Sequence, residues 1–466
     1  MSQPGTPSNP LRVAIVGSGP AAFYAADHLQ KQPGLAWTID MIDRVPTPYG
    51  LVRGGVAPDH QKIKAVTRVY EAIASKPGFR FFGDVGFGEQ LTLADLKKHF
   101  HAIVFASGAQ TDRHMGIPGE ELKGSFPATE FVAWYNGHPD FQHLDFDLDR
   151  ECVAVVGVGN VAIDVARILC RTPEELRATD MSDEAIDALT ASRVKDVYLL
   201  GRRGPAQAAF TPPEIKEVGE MPGADVMVLP EEAALDPLSR AEVEKSGDRE
   251  LARKVQILEE YSKRQPTGKP RRLHIRFLVS PTELVADAKG HVASVKLVRN
   301  QLVAGSGGSL SAKPTGVTET LPASLVFRSV GYRGVALPGV PFDEKSGTVP
   351  NEKGRVTDPA TKAAVTGLYA TGWIKRGPSG VIGTNKPDSV ETATSLVEDL
   401  AKGAVLAPES PDPARFEALV RSKRPGFFSF ADWRRLDEIE VARGKEIGRP
   451  RVKFTSREEM AAALGR

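Results

Sequence analysis

Two glycine-rich motifs in this 466-residue chain have the spacing needed to hold the pyrophosphate of a dinucleotide. Both read G-x-G-x-x-A, and their small residues are Gly17, Gly19 and Ala22 in the first motif and Gly157, Gly159 and Ala162 in the second. The first glycine permits a tight turn, the second lets the backbone approach the pyrophosphate, and the small third residue lets a helix pack closely on a strand. Each motif follows a short apolar run and precedes a helical stretch, as such a site requires. The chain is therefore predicted to bind two nucleotides.

An acidic residue follows the first motif at the position expected for recognition of a ribose. The apolar run 37–42 predicts a strand, and Asp43 ends it. A carboxylate at that position accepts hydrogen bonds from ribose hydroxyls, whereas it would repel a 2′-phosphate. The first motif is therefore predicted to bind a non-phosphorylated adenosine such as that of FAD.

Two arginines follow the second motif at the corresponding position. The predicted strand 194–200 leads into Gly201 and then into Arg202 and Arg203, with no acid at its end. Adjacent guanidinium groups suit a 2′-phosphate, which they bind with forked, charge-assisted hydrogen bonds. The second motif is therefore predicted to bind NADP(H) rather than NAD(H). The alternative is an exposed turn that binds no ligand.

The composition and charge of the chain indicate which kinds of partner and location to expect. With 60 basic and 59 acidic residues, the formal net charge is +1, which favours neither nucleic acid nor a membrane surface as the main partner. No apolar run approaches the length of a membrane span, and the first ten residues lack the pattern of a signal or transit peptide. A cytosolic location is therefore expected.

The cysteine content excludes two kinds of redox chemistry. Cys152 and Cys170 are the only cysteines, and they do not form a C-x-x-C motif. The dithiol chemistry of disulfide reductases and four-cysteine ligation of an iron–sulfur cluster are therefore both excluded. If electrons leave the protein singly, the cluster that accepts them must belong to a partner.

The order of the predicted elements indicates an α/β fold with two nested Rossmann-like dinucleotide-binding domains. We expect a discontinuous FAD-binding domain of residues 1–112 and 336–466, with an NADP-binding domain of residues 113–335 inserted into it. Single helices are predicted over residues 61–75 and 388–401, and the glycine–serine cluster 305–309 predicts a hairpin loop.

Three blocks of sequence resemble the adrenodoxin-reductase-type ferredoxin–NADP+ reductases, and their bacterial members in particular. The blocks are residues 47–64, 201–214 and 372–385, and the resemblance extends over nearly the whole chain. Asp43 departs from the family pattern, in which many members have Glu, although the shorter side chain should still reach a ribose.

The resemblance implies further residues at both cofactors. At FAD it places Leu51, Trp373, Gly380, Val381 and Ile382. At NADP(H) it places Arg113, Asn160, Val161, Glu214 and Gly380. The helix predicted after Gly380 would direct N–H groups toward negative charge on the reduced flavin. Trp373 could instead be an ordinary core residue.

The resemblance also places two ionisable residues, His60 and Glu214, near the nicotinamide. Direct hydride transfer needs no general base, so a positioning role is expected for both rather than proton transfer. A purely structural role for the histidine is the alternative.

The predicted activity is an NADPH–ferredoxin oxidoreductase. NADPH delivers a two-electron hydride, an iron–sulfur protein accepts single electrons, and a flavin can do both. Two alternatives are an FAD- and NADPH-dependent monooxygenase and a nucleotide-binding subunit of a larger redox complex. The complete reductase blocks disfavour the first, and two intact motifs disfavour the second.

A basic stretch between residues 249 and 276 is a candidate docking surface for an acidic ferredoxin. Its cations are Arg253, Lys254, Lys263, Arg264, Lys269, Arg271 and Arg272. Leu251, Val255 and Leu258 form an apolar stripe at helical spacing, so the neighbouring charges are expected to face outward. Complementary charge would then steer the partner, and the alternative is a solvated face without a partner.

Overall fold

The computed structural model describes residues 3–305 and 309–466. The chain divides into two compact units: unit 1 is Met1–Thr111 with Gly331–Arg466, and unit 2 is Asp112–Val330. The second boundary was expected after residue 335 and falls earlier. The reason is that residues after Val330 bond within unit 1, where the Gly334 N–H donates to the Gly347 carbonyl at 3.1 Å.

The first segment of unit 1 alternates strands and helices. Its elements are β1 (Leu11–Val16), α1 (Pro20–Gln30), β2 (Trp37–Asp43), α2 (Leu51–Gly54), α3 (Gln61–Lys64), α4 (Thr67–Ala74), β3 (Phe79–Gly83), α5 (Leu93–His99), β4 (Ala102–Phe105) and β5 (Thr111–Asp112), the last of which reaches the unit boundary. The single helix predicted over 61–75 is therefore two helices. Between them the Val66 N–H donates to the Ile63 carbonyl, a bond that spans three residues rather than four. This tighter turn interrupts the α-helical pattern.

Unit 2 follows in the chain. Its elements are β6 (Ser125–Pro127), α6 (Ala128–Tyr135), β7 (Cys152–Val156), α7 (Asn160–Cys170), α8 (Pro173–Arg177), α9 (Asp183–Thr190), β8 (Asp196–Leu200), α10 (Pro212–Val218), β9 (Ala224–Val228), α11 (Pro230–Ala233), α12 (Pro237–Ser246), α13 (Arg249–Ser262), β10 (Arg271–Arg276), β11 (Val279–Ala286), β12 (Val292–Ala304), β13 (Leu310–Leu321) and β14 (Leu325–Arg328). The chain then returns to unit 1.

The second segment of unit 1 begins with short strands and ends in helices. Its elements are β15 (Tyr332–Arg333), β16 (Asn351–Glu352), β17 (Arg355–Thr357), β18 (Ala364–Ala370), α14 (Trp373–Arg376), α15 (Asn385–Ala401), α16 (Pro413–Lys423), α17 (Phe430–Glu446) and α18 (Arg457–Ala463). None of the helices within the described ranges is long and apolar enough to cross a membrane.

Unit 1 is built on a sheet of order β16-β17-β18-β4-β1-β2-β3. The strands from β18 to β3 are parallel. Both faces of the central strand β1 are buried, since Val13 and Ile15 belong to one hydrophobic cluster and Ala14 and Val16 to another. A parallel strand covered on both faces reads as a continuous apolar run, which explains why β1 was recognisable in the sequence.

Unit 2 contains a parallel sheet of order β6-β14-β7-β8-β10-β9 and a separate antiparallel sheet of order β11-β12-β13. The predicted α/β fold with parallel sheets is thus confirmed. In the smaller sheet Ala304 pairs with Leu310, so β12 and β13 form a hairpin. Residues 306–308 of the predicted hairpin loop lie outside the described residues.

Candidate dinucleotide-binding sites

The first glycine motif forms the turn between β1 and α1. Gly17 has a φ of 103°, and a Cβ there would lie 2.4 Å from the Ala106 carbonyl oxygen, so only glycine fits. Gly19 precedes α1 and faces open space, with nothing within 4 Å of the position of a Cβ. In the part of the chain that the structure describes, no side chain caps α1 at Gly19. The first N–H groups of α1 therefore suit an anion such as a pyrophosphate.

Asp43 lies at the end of β2 and is held against this turn. Its Oδ2 accepts hydrogen bonds from the Ser18 N–H at 2.8 Å and from the Ser18 hydroxyl at 2.5 Å, and its Oδ1 accepts one from the Val45 N–H at 3.1 Å. Burial raises the pKa of the Asp43 carboxyl, and the hydrogen bonds from Ser18 and Val45 oppose this shift. The structure thus brings Asp43 to the first motif and fixes its orientation.

The loop before α2 also reaches the first motif. A Cβ at Gly50 would lie 2.9 Å from the Gly19 Cα, so the two backbones are in close contact. Leu51 begins α2, and 43% of its surface is exposed. An exposed leucine beside a glycine turn offers an apolar surface to a ligand held there.

The turn after β18 packs against α1 from another direction. A Cβ at Gly372 would lie 2.6 Å from the Ala21 Cβ. Trp373 begins α14, is half-buried, and its indole N–H donates to the Ser379 carbonyl at 3.1 Å. The position of the ring is therefore fixed by the chain itself.

Helix α15 begins at Asn385, three residues before the predicted start at Asp388. The earlier start is compatible with Pro387, because proline is tolerated in the first turn of a helix, whose N–H groups have no partner within the helix. A 3₁₀ turn, Ile382–Thr384, precedes α15, while Gly380 and Val381 before it are exposed. The Ser389 hydroxyl donates to the Ala21 carbonyl at 2.9 Å and ties α15 to α1. Asp43, the turns at Gly50 and Gly372, and helix α15 thus all contact the segment that begins α1.

The second motif repeats the geometry of the first within unit 2. Gly157 has a φ of 131°, and a Cβ there would lie 2.2 Å from the Ser329 carbonyl oxygen. Gly159 precedes α7 and has open space around it. Asn160 begins α7, and its Oδ1 is buried with no hydrogen-bond partner within the described ranges. An unsatisfied buried polar atom beside a glycine turn fits a site completed by a polar ligand. Val161 follows and is half-buried.

Arg202 and Arg203 follow the carboxyl end of β8, as predicted. Their backbone is fixed, because the Arg202 carbonyl accepts from the Asn300 amide at 2.9 Å and the Arg203 carbonyl accepts from the Leu278 N–H at 3.1 Å. Arg202 is exposed and Arg203 is half-buried. Over residues 3–305 and 309–466, neither arginine forms an ion pair; Arg203 donates only to the Gln207 carbonyl at 3.4 Å. Two cations without a carboxylate suit a dianionic phosphate.

Three further predicted residues, Glu214, Arg113 and His60, lie outside the two glycine turns. Glu214 lies in α10, where its carboxylate accepts from the N–H and the hydroxyl of Thr211, each at 2.8 Å. The bond from the Thr211 N–H is part of a capping box, a structural role that the sequence analysis missed although T-x-x-E is its signature. Arg113 is exposed in unit 2, and His60 is half-buried before α3 in unit 1.

The expectation that the charges of the basic stretch face outward is wrong for several of them. Lys254 is buried, and its ammonium donates to the carbonyls of Ala206 and Ala208. Lys269 donates to the Met221 carbonyl at 2.7 Å. The apolar stripe of α13 is wider than predicted because it also includes Ile257 and Tyr261, among others, so Lys254 lies within it. The exposed cations of this stretch are Arg253, Lys263, Arg264 and Arg272.

The sequence analysis also missed Asp388, whose carboxylate organises the turn after β18. Its Oδ2 accepts from the Gly372 N–H at 2.6 Å and from the Thr371 hydroxyl at 3.2 Å. Its Oδ1 lies 3.0 Å from the Nζ of Lys375, a buried lysine. Asp388 lies in α15, whereas Gly372 follows β18, so the two residues belong to different elements. No local sequence pattern could therefore predict this contact.

Comparison with known proteins shows the family to which the chain is related. Residues 11–203 match the family described as pyridine nucleotide-disulphide oxidoreductase. NADPH-ferredoxin reductase FprA of Mycobacterium tuberculosis is 43% identical over 459 residues, which cover 97% of this chain and 98% of that protein. The mitochondrial NADPH:adrenodoxin oxidoreductase of Homo sapiens is 41% identical over 472 residues, covering 97% of this chain and 92% of that protein.

A solved structure of Mycobacterium tuberculosis FprA in complex with NADPH is also similar. It has a TM-score of 0.91 and 42% sequence identity, and the match covers 98% of this chain and 100% of that one. The resemblance inferred from the three sequence blocks is confirmed. The chain belongs to the family of FAD-dependent NADPH-ferredoxin reductases that includes mycobacterial FprA and adrenodoxin reductase.

Proposed function

We propose that the protein is an NADPH–ferredoxin oxidoreductase that binds FAD in unit 1 and NADP(H) in unit 2. The observation that carries the proposal is the opposite charge beside two similar glycine turns. Asp43 stands beside the first, and Arg202 and Arg203 follow the strand next to the second. Relatives named for this activity match nearly the whole chain, so the sequence similarity extends over both units.

The residues of unit 1 fit FAD. The first N–H groups of α1 would bind the pyrophosphate, and Asp43 would accept hydrogen bonds from the ribose. Trp373 would lie against the flavin, and the turn that begins at Ile382 would direct N–H groups toward negative charge on it. When bound, FAD supplies the conversion between a two-electron hydride and single electrons.

The residues of unit 2 fit NADP(H). The turn at Gly157 and Gly159 would hold the pyrophosphate at the start of α7, beside Asn160 and Val161. Arg202 and Arg203 would bind the 2′-phosphate, and Arg113 would add a third cation. The exposed backbone at Gly380 in unit 1 would leave room for the nicotinamide.

His60 and Glu214 are proposed to position the nicotinamide rather than to transfer protons. Hydride transfer moves no separate proton, so no general base is required. Glu214 already holds Thr211 through two hydrogen bonds of 2.8 Å. Its contribution to binding would therefore be to fix the loop that follows Arg203.

The two cysteines do not suit a dithiol relay, although the matching family is described as pyridine nucleotide-disulphide oxidoreductase. Burial raises the pKa of both Cys152 and Cys170 to about 12, so neither is a thiolate at neutral pH. Electrons would therefore pass from the flavin directly to the cluster of the partner protein.

Reduction of cytochrome c with and without added ferredoxin tests this function. NADPH alone is expected to support slow reduction, and added ferredoxin is expected to accelerate it. A rate that is independent of ferredoxin, together with substrate-dependent oxygen uptake, would instead indicate a monooxygenase. No flavin reduction by NADPH would indicate a non-catalytic subunit.

The exposed part of the basic stretch is the proposed ferredoxin dock. Reversing Arg253 and Lys263 to glutamate should slow ferredoxin-dependent cytochrome c reduction, because charges at the rim of an interface act mainly on association rate. The rate of the unmodified protein should fall as salt rises, since the Debye length shrinks from about 10 Å at 0.1 M to about 3 Å at 1 M. Ferricyanide reduction by NADPH should not change, because this small acceptor needs no protein dock.

Lys289 and Lys313 provide a matched control for this experiment. Both are exposed lysines of unit 2 outside the basic stretch, so their reversal changes the net charge by the same amount. A loss of ferredoxin-dependent rate that is equal in both double variants would show a general charge effect and contradict a local dock. Arg264 is left unchanged because it donates to the Gly219 carbonyl at 2.9 Å and stacks on Tyr261.

A further inference from the structure

Unit 2 contains a cavity at the edge of its parallel sheet where β8, β9 and β10 begin. Its volume is about 340 Å³. Lys195 directly precedes β8, Gly223 directly precedes β9, and Arg271 begins β10. We name it the amino-edge cavity, and its polar lining residues are Thr172, Ser192, Arg193, Lys195 and Arg271.

The amino-edge cavity is separate from the proposed dinucleotide site of the same unit. Arg202 and Arg203 follow the carboxyl end of β8, whereas Lys195 precedes its amino end. A strand advances about 3.3 Å per residue, so five residues separate the two ends by about 16 Å. Helix α7 spans a similar distance, from Asn160 beside the glycine turn to Cys170, two residues before Thr172.

Arg271 places a positive charge in the wall of the cavity, and no carboxylate of the described residues lies within ion-pair distance of it. The side chain is half-buried, and its guanidinium donates to the carbonyls of Val194, at 3.3 Å, and Arg171. Across the described parts of the chain, Arg271 forms no ion pair. Burial lowers the pKa of the guanidinium, and the charge of Glu175 opposes this shift.

The other charged groups at the cavity are also cations. Arg193 and Lys195 are exposed at its mouth, and no acidic residue lines it. Three carboxylates lie near these residues but outside the lining. Glu151 is 2.7 Å from the Lys195 Nζ and 3.8 Å from Arg193, Asp149 is 3.8 Å from Arg193, and Glu175 accepts from the Thr172 N–H at 2.9 Å. The cations at the mouth are thus engaged in three exposed ion pairs, whereas Arg271 forms none among the described residues.

We propose that the amino-edge cavity binds the phosphate group of a small ligand, with the phosphate against Arg271. A guanidinium matches the oxygens of a phosphate with forked hydrogen bonds. Pro173, Val194 and Pro270 complete the wall and offer apolar surface to an organic group on the ligand. The volume lies at the lower end of the range of about 300–1,000 Å³ that is usual for small-molecule sites, so the ligand is inorganic phosphate or a compact organic phosphate.

Calorimetric titration of the flavin-loaded protein with inorganic phosphate and with phenyl phosphate tests this proposal. Saturating NADP+ and constant ionic strength are used so that the dinucleotide site is occupied and general salt effects cancel. We expect saturable binding at one site, with an affinity at least tenfold lower in Arg271→Met. Tighter binding of phenyl phosphate would identify an organic ligand, and equal binding of both would identify inorganic phosphate.

Arg272→Met is the matched control, because Arg272 is adjacent and exposed but pairs with Asp196 at 2.6 Å and does not line the cavity. This variant should bind phosphate like the unmodified protein. Because Arg271 also holds two carbonyls, a second variant, Arg193→Gln with Lys195→Gln, tests the cavity without disturbing them and should weaken binding several-fold. Absence of saturable binding when NADP+ is bound, equal weakening in Arg272→Met, or unchanged affinity in the double variant would overturn the proposal.

Discussion

Replacing Arg202 and Arg203 with glutamine is expected to weaken the binding of NADPH by about 10- to 150-fold for each arginine. The binding of NADH should be nearly unaffected. A hydrogen bond to a charged group contributes roughly 1.5–3 kcal/mol, which corresponds to this range of affinity. The effect is selective because NADH lacks the 2′-phosphate. Neither guanidinium is engaged by a carboxylate in the described chain, so no internal ion pair is lost on substitution.

Steady-state kinetics with both cofactors measures this effect as the ratio of kcat/KM for NADPH to that for NADH. Arg272→Gln is the control, since Arg272 is an exposed arginine of the same unit that pairs with Asp196. A double variant that keeps its preference for NADPH would show that the 2′-phosphate is bound elsewhere.

Replacing Asp43 with arginine is expected to release most of the FAD. The carboxylate is expected to accept hydrogen bonds from the ribose, and a guanidinium can only donate them. The change also removes the acceptor for the Ser18 N–H and hydroxyl, at 2.8 and 2.5 Å, which hold the turn that begins α1. Unit 2 should be unaffected, so NADP+ binding should persist.

Flavin released from the Asp43 variants is quantified after gel filtration, and NADP+ binding is measured on the same samples. Asp43→Asn tests whether the negative charge is required, because an amide oxygen still accepts a hydrogen bond while the charge is lost. We expect intermediate retention of FAD in this variant. Full retention of FAD by Asp43→Arg would mean that other residues hold the ribose.

The two glycine turns were predictable because their information is local. A buried strand, a tight turn and a helix start occupy consecutive residues, so Gly17 and Gly157 are recognisable from spacing alone. The charged residues Asp43, Arg202 and Arg203 lie at or just after the end of the next strand in the same kind of unit. The sequence therefore predicted the turns and the parallel sheets.

The contacts that depend on distant residues were not predictable in the same way. Lys254 has charged neighbours in the sequence and was therefore expected to be exposed. Only the fold shows the two carbonyls that accept hydrogen bonds from its ammonium. Asp388 joins the start of α15 to the turn after β18, and neither segment has a pattern that indicates the other. The amino-edge cavity is likewise formed by residues that approach one another only because three strands begin at the same edge.

The most direct test of the central claim is a stoichiometric transfer of electrons under anaerobic conditions. The flavin-loaded protein is mixed with one equivalent of NADPH and then with oxidised ferredoxin, and the absorbance of flavin and ferredoxin is followed by stopped flow. The account predicts that NADPH bleaches the flavin and that two ferredoxins are then reduced for each NADPH consumed, because a hydride carries two electrons and each cluster accepts one. Flavin that stays oxidised with NADPH, or reduced flavin that ferredoxin fails to reoxidise, would contradict it.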